Sequence, residues 1–108
     1  MSDRGGVVAD DAANHRYTIT VDGEVAGFID YHDRGSNRAM LHTEVNDAFE
    51  GHGLGSTLVS AALDDARSRG LAVLPYCPFV RSYLASHPAY VDLVPPDRRG
   101  EFDLLDTA

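Results

Sequence analysis

A chain of 108 residues has room for one domain of ordinary size, and a hydrophobic content of 44% suffices for a buried core. A formal charge of −8 works against binding of phosphate backbones, and the absence of lysine excludes a Schiff-base lysine and a Walker-type phosphate loop. No run of roughly 18 apolar residues could span a membrane, no apolar signal region follows Met1-Ser2-Asp3-Arg4, and the lone Cys77 fits a reducing cytoplasm without disulfides. The acidic balance serves either to attract a cationic acceptor such as an amine or only to solvate the surface.

Residues 1–14 are small, polar and without period, and are expected to form a flexible tail before a domain over residues 15–95. Tyr17, Ile19 and Val21 alternate with threonines as in a half-buried strand, and Asp22-Gly23 predicts a tight hairpin into a second strand over Glu24 to His32. A third strand is expected over Arg38 to Val45 after the turn at residues 33–37, with Leu41, Thr43 and Val45 on one face and Met40, His42 and Glu44 on the other. The period then changes. Leu54, Leu58, Val59, Ala62, Leu63 and Ala66 recur at helical spacing and Gly70 ends the helix. Leu71-Ala72-Val73-Leu74 reads as a buried strand, Pro78 opens a short helix to about Ser86, and Tyr90 to Val94 reads as a last short strand. A C-terminal tail over 96–108 completes the chain, with Phe102, Leu104 and Leu105 as residues able to dock. The fold class is α/β (α+β): a three-strand antiparallel meander, a helix, a strand parallel to the third by right-handed crossover, and a short helix.

The segment Glu50-Gly51-His52-Gly53-Leu54-Gly55-Ser56-Thr57 opens the long helix. Alternate glycines let a backbone turn sharply and approach a ligand, and amides at a helix N-terminus favour an anion. These are the parts of a pyrophosphate cradle, with Ser56 and Thr57 as added hydroxyls. Taken alone, the segment serves equally as a plain loop. A dinucleotide fingerprint fails because Ser56 stands at its third glycine and the chain begins with an antiparallel meander.

Glu50-x-x-Gly53-x-Gly55, placed after a meander and before a buried strand, resembles the signature of the GNAT superfamily of acyl-CoA N-acyltransferases. Glu50 departs from it, standing where Gln or Arg is commonest. The run Pro75-Tyr76-Cys77-Pro78-Phe79-Val80 and the later His87-Pro88-Ala89-Tyr90 resemble a narrower group of GNAT-like acetyltransferases about as short as this chain. The resemblance covers Tyr17 to Val94. It implies that amides of Gly51, His52, Gly53, Leu54 and Gly55 bind the diphosphate of acetyl-CoA, that Ser56 and Thr57 assist, and that pantetheine lies along the strand ending Glu44-Val45. It further implies an N-acetyltransferase whose acceptor is an amine, on a small molecule or a peptide. A CoA-binding module with little turnover is the alternative.

Three residues are candidates for the chemistry. Cys77, before a proline-initiated helix, lies where the helix dipole favours a thiolate; it is an acyl relay or a small buried hydrophobe. His42, on the third strand, is a general base or a half-exposed strand histidine. Tyr83, on the short helix, stands roughly where the resemblance implies a tyrosine that protonates the departing thiolate, or else packs in the core. No His-Glu-x-x-His or Cys-x-x-Cys spacing exists, so no metal site is expected. Neither the acceptor nor the oligomeric state is legible.

Overall fold

The computed structural model describes residues 6–49 and 53–104. Five strands form one sheet in chain order: β1 (Val7–Asp11), β2 (Arg16–Val21), β3 (Glu24–Arg34), β4 (Asn37–Val45) and β5 (Ala72–Pro75). The first four pair antiparallel, and β5 lies parallel to β4 after the crossover through α1 (Leu54–Ser68). The β2–β3 turn has positive φ at both Asp22 (52°) and Gly23 (83°), the left-handed geometry that matches strand twist in two-residue hairpins. A second helix, α2 (Pro78–Ser86), follows β5. The expected meander, crossover strand and two helices are therefore all present.

α1 buries Leu54, Leu58, Val59, Ala62, Leu63 and Ala66, and lies over one face of the sheet. Tyr17, Ile19, Ile29 and Met40 complete that core from the strands. Each large aliphatic side chain removed from water contributes about 1.5–3 kcal/mol, so this face carries a large share of the stabilisation.

Four sequence expectations are corrected. The supposed N-terminal tail supplies β1, whose Val7 to Asp11 pair with Thr20 to Arg16. Its side chains have no alternating pattern because its anchor is polar: Asp10 meets the Tyr31 hydroxyl and lies 3.6 Å from Arg38. Residues 90–94 are not a strand; Pro88–Leu93 is a 3₁₀ helix that buries Val91 and Leu93 while the Tyr90 hydroxyl reaches Asp64 on α1 at 2.9 Å. The C-terminal segment is no tail as far as it is described. Short turns at Pro96–Arg98 and Gly100–Phe102 bring Phe102 edge-on to Tyr76 and bury Leu104; Leu105 lies outside the described residues. Finally, pairing slips between Asp30–His42 and Tyr31–Met40, so Leu41 is an inserted bulge residue. The bulge turns Thr43 toward the Met40 side, against Cys77, and leaves Leu41 and His42 exposed together.

A polar cluster sits within the α1-side core. Arg38, 5% exposed, donates to both Asp33 oxygens at 2.7 and 2.8 Å and to the Tyr17 hydroxyl at 2.7 Å. Tyr17 in turn donates to Asp65 of α1 at 2.6 Å. Burial, then the acceptor carboxylates, push both buried phenols upward: Tyr31 to about 12, and Tyr17 well above its ordinary value. The fold thus favours the neutral phenols. That contribution is whole below the ordinary tyrosine value of about 10 and is lost as pH rises toward the raised values. In an alkaline titration, two of the five tyrosines are expected to ionise only as circular dichroism reports unfolding. Ionisation of Tyr17 and Tyr31 with the fold intact would contradict this.

Candidate functional site

β4 and β5 part company where the bulge begins. Their register ends at Met40–Pro75, and the next cross-link is the Cys77 amide, which donates to the Met40 carbonyl at 2.9 Å. Beyond it, Thr43 Oγ1 and Cys77 Sγ lie 3.1 Å apart. From that contact β4 runs on to Val45 while the chain after β5 turns into α2. The space between them is a cleft of about 230 Å³, walled by Val45 and Phe49, by residues 53–56 at the start of α1, and by Phe79 of α2.

The helix start is built for close approach. Gly53 has φ 69° and open space where a Cβ would stand. A Cβ on Gly55 would come within 2.6 Å of Phe79 Cζ, so glycine here lets the ring lie directly on the first turn. Among the described residues no side chain caps α1, and its first turn carries no acidic residue. The Thr57 amide donates to the Gly53 carbonyl at 3.1 Å, whereas the amides of Leu54 and Gly55 have no acceptor among the described residues. Unpaired donors and the positive end of a helix dipole on an open cleft suit an anion.

The structure distributes the expected site residues unevenly. Val45, Gly53, Leu54, Gly55 and Ser56 line the cleft together. Gly51 and His52, with Glu50, lie outside the described residues. Thr57 has its hydroxyl hydrogen directed to the Gly53 carbonyl at 3.2 Å, so it is committed locally instead of pointing to a ligand. Glu44 turns its side chain to the opposite face, where it meets His42 Nε2 at 2.8 Å. Because a carboxylate only accepts, that nitrogen carries the hydrogen and Nδ1 is left to take one.

The three candidate catalytic residues are not gathered. Cys77 is buried at the N-cap of α2, on the floor of the β4–β5 gap. His42 stands on the other face of β4, exposed, with Phe28 as its ring neighbour. Tyr83 lies one turn beyond Phe79, stacked on His87 at 3.9 Å and beside Ser56, Thr57 and Ser60 of α1. Three residues escaped the sequence reading: Phe49 and Phe79 in the cleft walls and Thr43 at its inner end. Thr43 reaches Cys77 only because the bulge reverses its face. Phe79 could have been found as an aromatic in the first turn of a helix that must pack against a glycine turn.

A family model described as GCN5-related N-acetyl-transferase matches residues 16–93. No curated protein sequence matches the chain. Among solved structures, an NMR structure of a Staphylococcus aureus protein described as GCN5-like superposes with TM-score 0.65 at 21% identity, covering 86% of this chain and 91% of that one. Ard1 from Thermoplasma volcanium gives TM-score 0.51 at 28% identity over 58% of this chain and 44% of its own. The ribosomal-protein-S18-alanine N-acetyltransferase of Escherichia coli gives TM-score 0.51 at 22% identity over 54% of this chain. The present chain spans only 38% of that enzyme's length.

Proposed function

Because the chain belongs to the GCN5-related N-acetyltransferase family, we propose that it moves an acetyl group from acetyl-CoA to an amine, with the CoA arm in the cleft between β4 and the start of α1. The observation that carries this is the junction of an uncapped, acid-free helix start with the parting of β4 and β5. The diphosphate lies at the amides of residues 53–55, joined by those of Gly51 and His52. Pantetheine runs past Val45 and Phe79, and the thioester ends near Thr43 and Cys77. A backbone amide of β4 beside the bulge polarises its carbonyl. CoA supplies the activated acyl group; the protein orients it, excludes water and manages protons.

In the direct route the neutral amine attacks the thioester carbon; a C–N bond forms, the C–S bond breaks, and the amide and the CoA thiol leave. The ammonium proton of the adduct passes to Nδ1 of His42, on the face by which an acceptor can reach the gap, and a proton from solvent converts the departing thiolate to the CoA thiol. In the relay route the Cys77 sulfur first accepts the acetyl group, releasing the CoA thiol, and the amine then attacks the protein thioester. The Pro75-Tyr76-Cys77-Pro78 run supports the relay and a place among the short GNAT-like members with this segment, acting in a reducing cytoplasm. Tyr83 stays in the proposal only as a residue flanking the cleft, since its ring is held by His87.

Thiol release from acetyl-CoA, measured across a panel of amines and peptides, tests the reading. Amine-dependent release is expected. CoA binding without release under any amine would assign the chain to the rival class, a CoA-binding module. In the same assay Cys77→Ala is expected to lower turnover by about tenfold with CoA affinity nearly intact. Unchanged turnover would leave the direct route alone.

A further inference from the structure

A concavity larger than the proposed CoA cleft lies outside it. On the sheet face opposite α1, a cavity of about 700 Å³ is floored by Ala39, Leu41 and Leu74 and rimmed by His32, Arg34 and Arg98, with Asn37 and Tyr76 between. Its volume falls within the usual range for small-molecule sites. Its charge runs against that of the whole molecule. The chain has 17 acidic residues against 9 basic ones, yet no carboxylate lines this cavity among the described residues.

The arginines at its rim differ. Arg98 is occupied, bonding Glu101 at 2.7 Å and donating to the Tyr76 hydroxyl at 2.8 Å. The side chain of Arg34, at the end of β3, has no hydrogen-bond or ion-pair partner among the described residues, although the side chains of the other described arginines all have one. A planar guanidinium left open over an apolar floor recognises a carboxylate through two parallel hydrogen bonds.

The cavity also touches the proposed reaction centre. Its inner residues, Leu41 and Tyr76, are the chain neighbours of Met40 and Cys77, where β4 and β5 part. From Leu41 to Asn37 along β4 is about 13 Å at the strand rise of about 3.3 Å per residue. We propose that this cavity is the acceptor site and that it selects amines carrying an anionic group, a carboxylate held by Arg34, roughly 7–13 Å from the reacting nitrogen. This rests on the acetyl-transfer reading; the anion site itself does not.

The experiment compares ω-aminooctanoate with its neutral amide as acceptors, and octanoate as a ligand that cannot react. The acid is expected to show a KM about tenfold below the amide, and Arg34→Gln to raise the KM of the acid about tenfold more than that of the amide. Octanoate, titrated without CoA, is expected to shift the backbone NMR signals of Arg34, Asn37 and Leu41 in the wild-type chain, but only weakly in Arg34→Gln. Equal use of acid and amide, or octanoate shifts that are absent or insensitive to Arg34→Gln, overturns the proposal. Octanoate binding with no acetyl transfer to either amine supports the anion site and instead removes the acetyl-transfer reading on which its role as acceptor site depends.

Discussion

Replacing Arg38 by methionine is expected to lower stability by about 3–5 kcal/mol, a large share of what a domain of this size has to lose. The side chain fills similar space, so the loss is electrostatic. Arg38 neutralises a ring of carboxylates in which Asp33 is bound twice, with Asp10 and Asp65 at 3.6 and 3.7 Å. It also lies over the Tyr31 ring at 3.9 Å. Without it three carboxylates crowd two phenols beneath a buried face, and among the described arginines only Arg69, half exposed, remains near Asp10 and Asp65. The Arg38 guanidinium holds the Asp33 carboxyl below its ordinary value of 3.8. Its stabilisation is therefore whole above that value and lost as pH falls below it toward the depressed one. Chemical denaturation at neutral pH should show the full deficit of Arg38→Met. Denaturation in acid, with the carboxylates protonated, should show much less of it. An equal deficit at both pH values would mean that packing, not charge, is what Arg38 supplies.

Ser56→Asp is expected to act in opposite senses on stability and on binding. Ser56 is exposed at the third position of α1, where no acidic residue now lies in the first turn. A carboxylate there complements the helix dipole and caps open amides, adding about 0.3–1 kcal/mol. The same carboxylate would face the diphosphate. Two like charges about 6 Å apart repel by roughly 3 kcal/mol at an effective dielectric of about 20. CoA affinity should therefore fall roughly a hundredfold, with part of the loss recovered at high salt. Ser56→Ala, which removes only the hydroxyl, should cost far less. Calorimetric titration with CoA beside thermal melting of each variant reads both effects. A variant less stable than wild type, or one that binds CoA as tightly, would contradict the placement of the diphosphate.

Where period and turn chemistry act locally, the fold is legible from the residues. The α1 stripe, the Asp22-Gly23 hairpin and the Pro78 helix start each follow from neighbours within a few positions. What escaped depends on distant contacts. β1 exists because Asp10 is drawn to Tyr31 and Arg38, and Pro88–Leu93 coils because Tyr90 reaches across to α1. The Leu41 bulge leaves no mark in side-chain type, yet it decides that Thr43, and not His42, faces Cys77. The glycine turn was legible as a motif, whereas Phe79, whose ring lies directly on Gly55, was visible only once α2 lay beside α1. Even so, Asp33 and Arg38 flank the β3–β4 turn as directly paired residues. That cross-strand ion pair could have been read from the hairpin alone.

An amide-resolved NMR titration of the whole chain with CoA probes the binding site without requiring turnover. If CoA lies where proposed, the signals of Gly53, Leu54, Gly55 and Val45 move most and saturate together. Binding that leaves those four unmoved while signals elsewhere shift, or no binding at millimolar CoA, would contradict the assignment of this cleft to CoA.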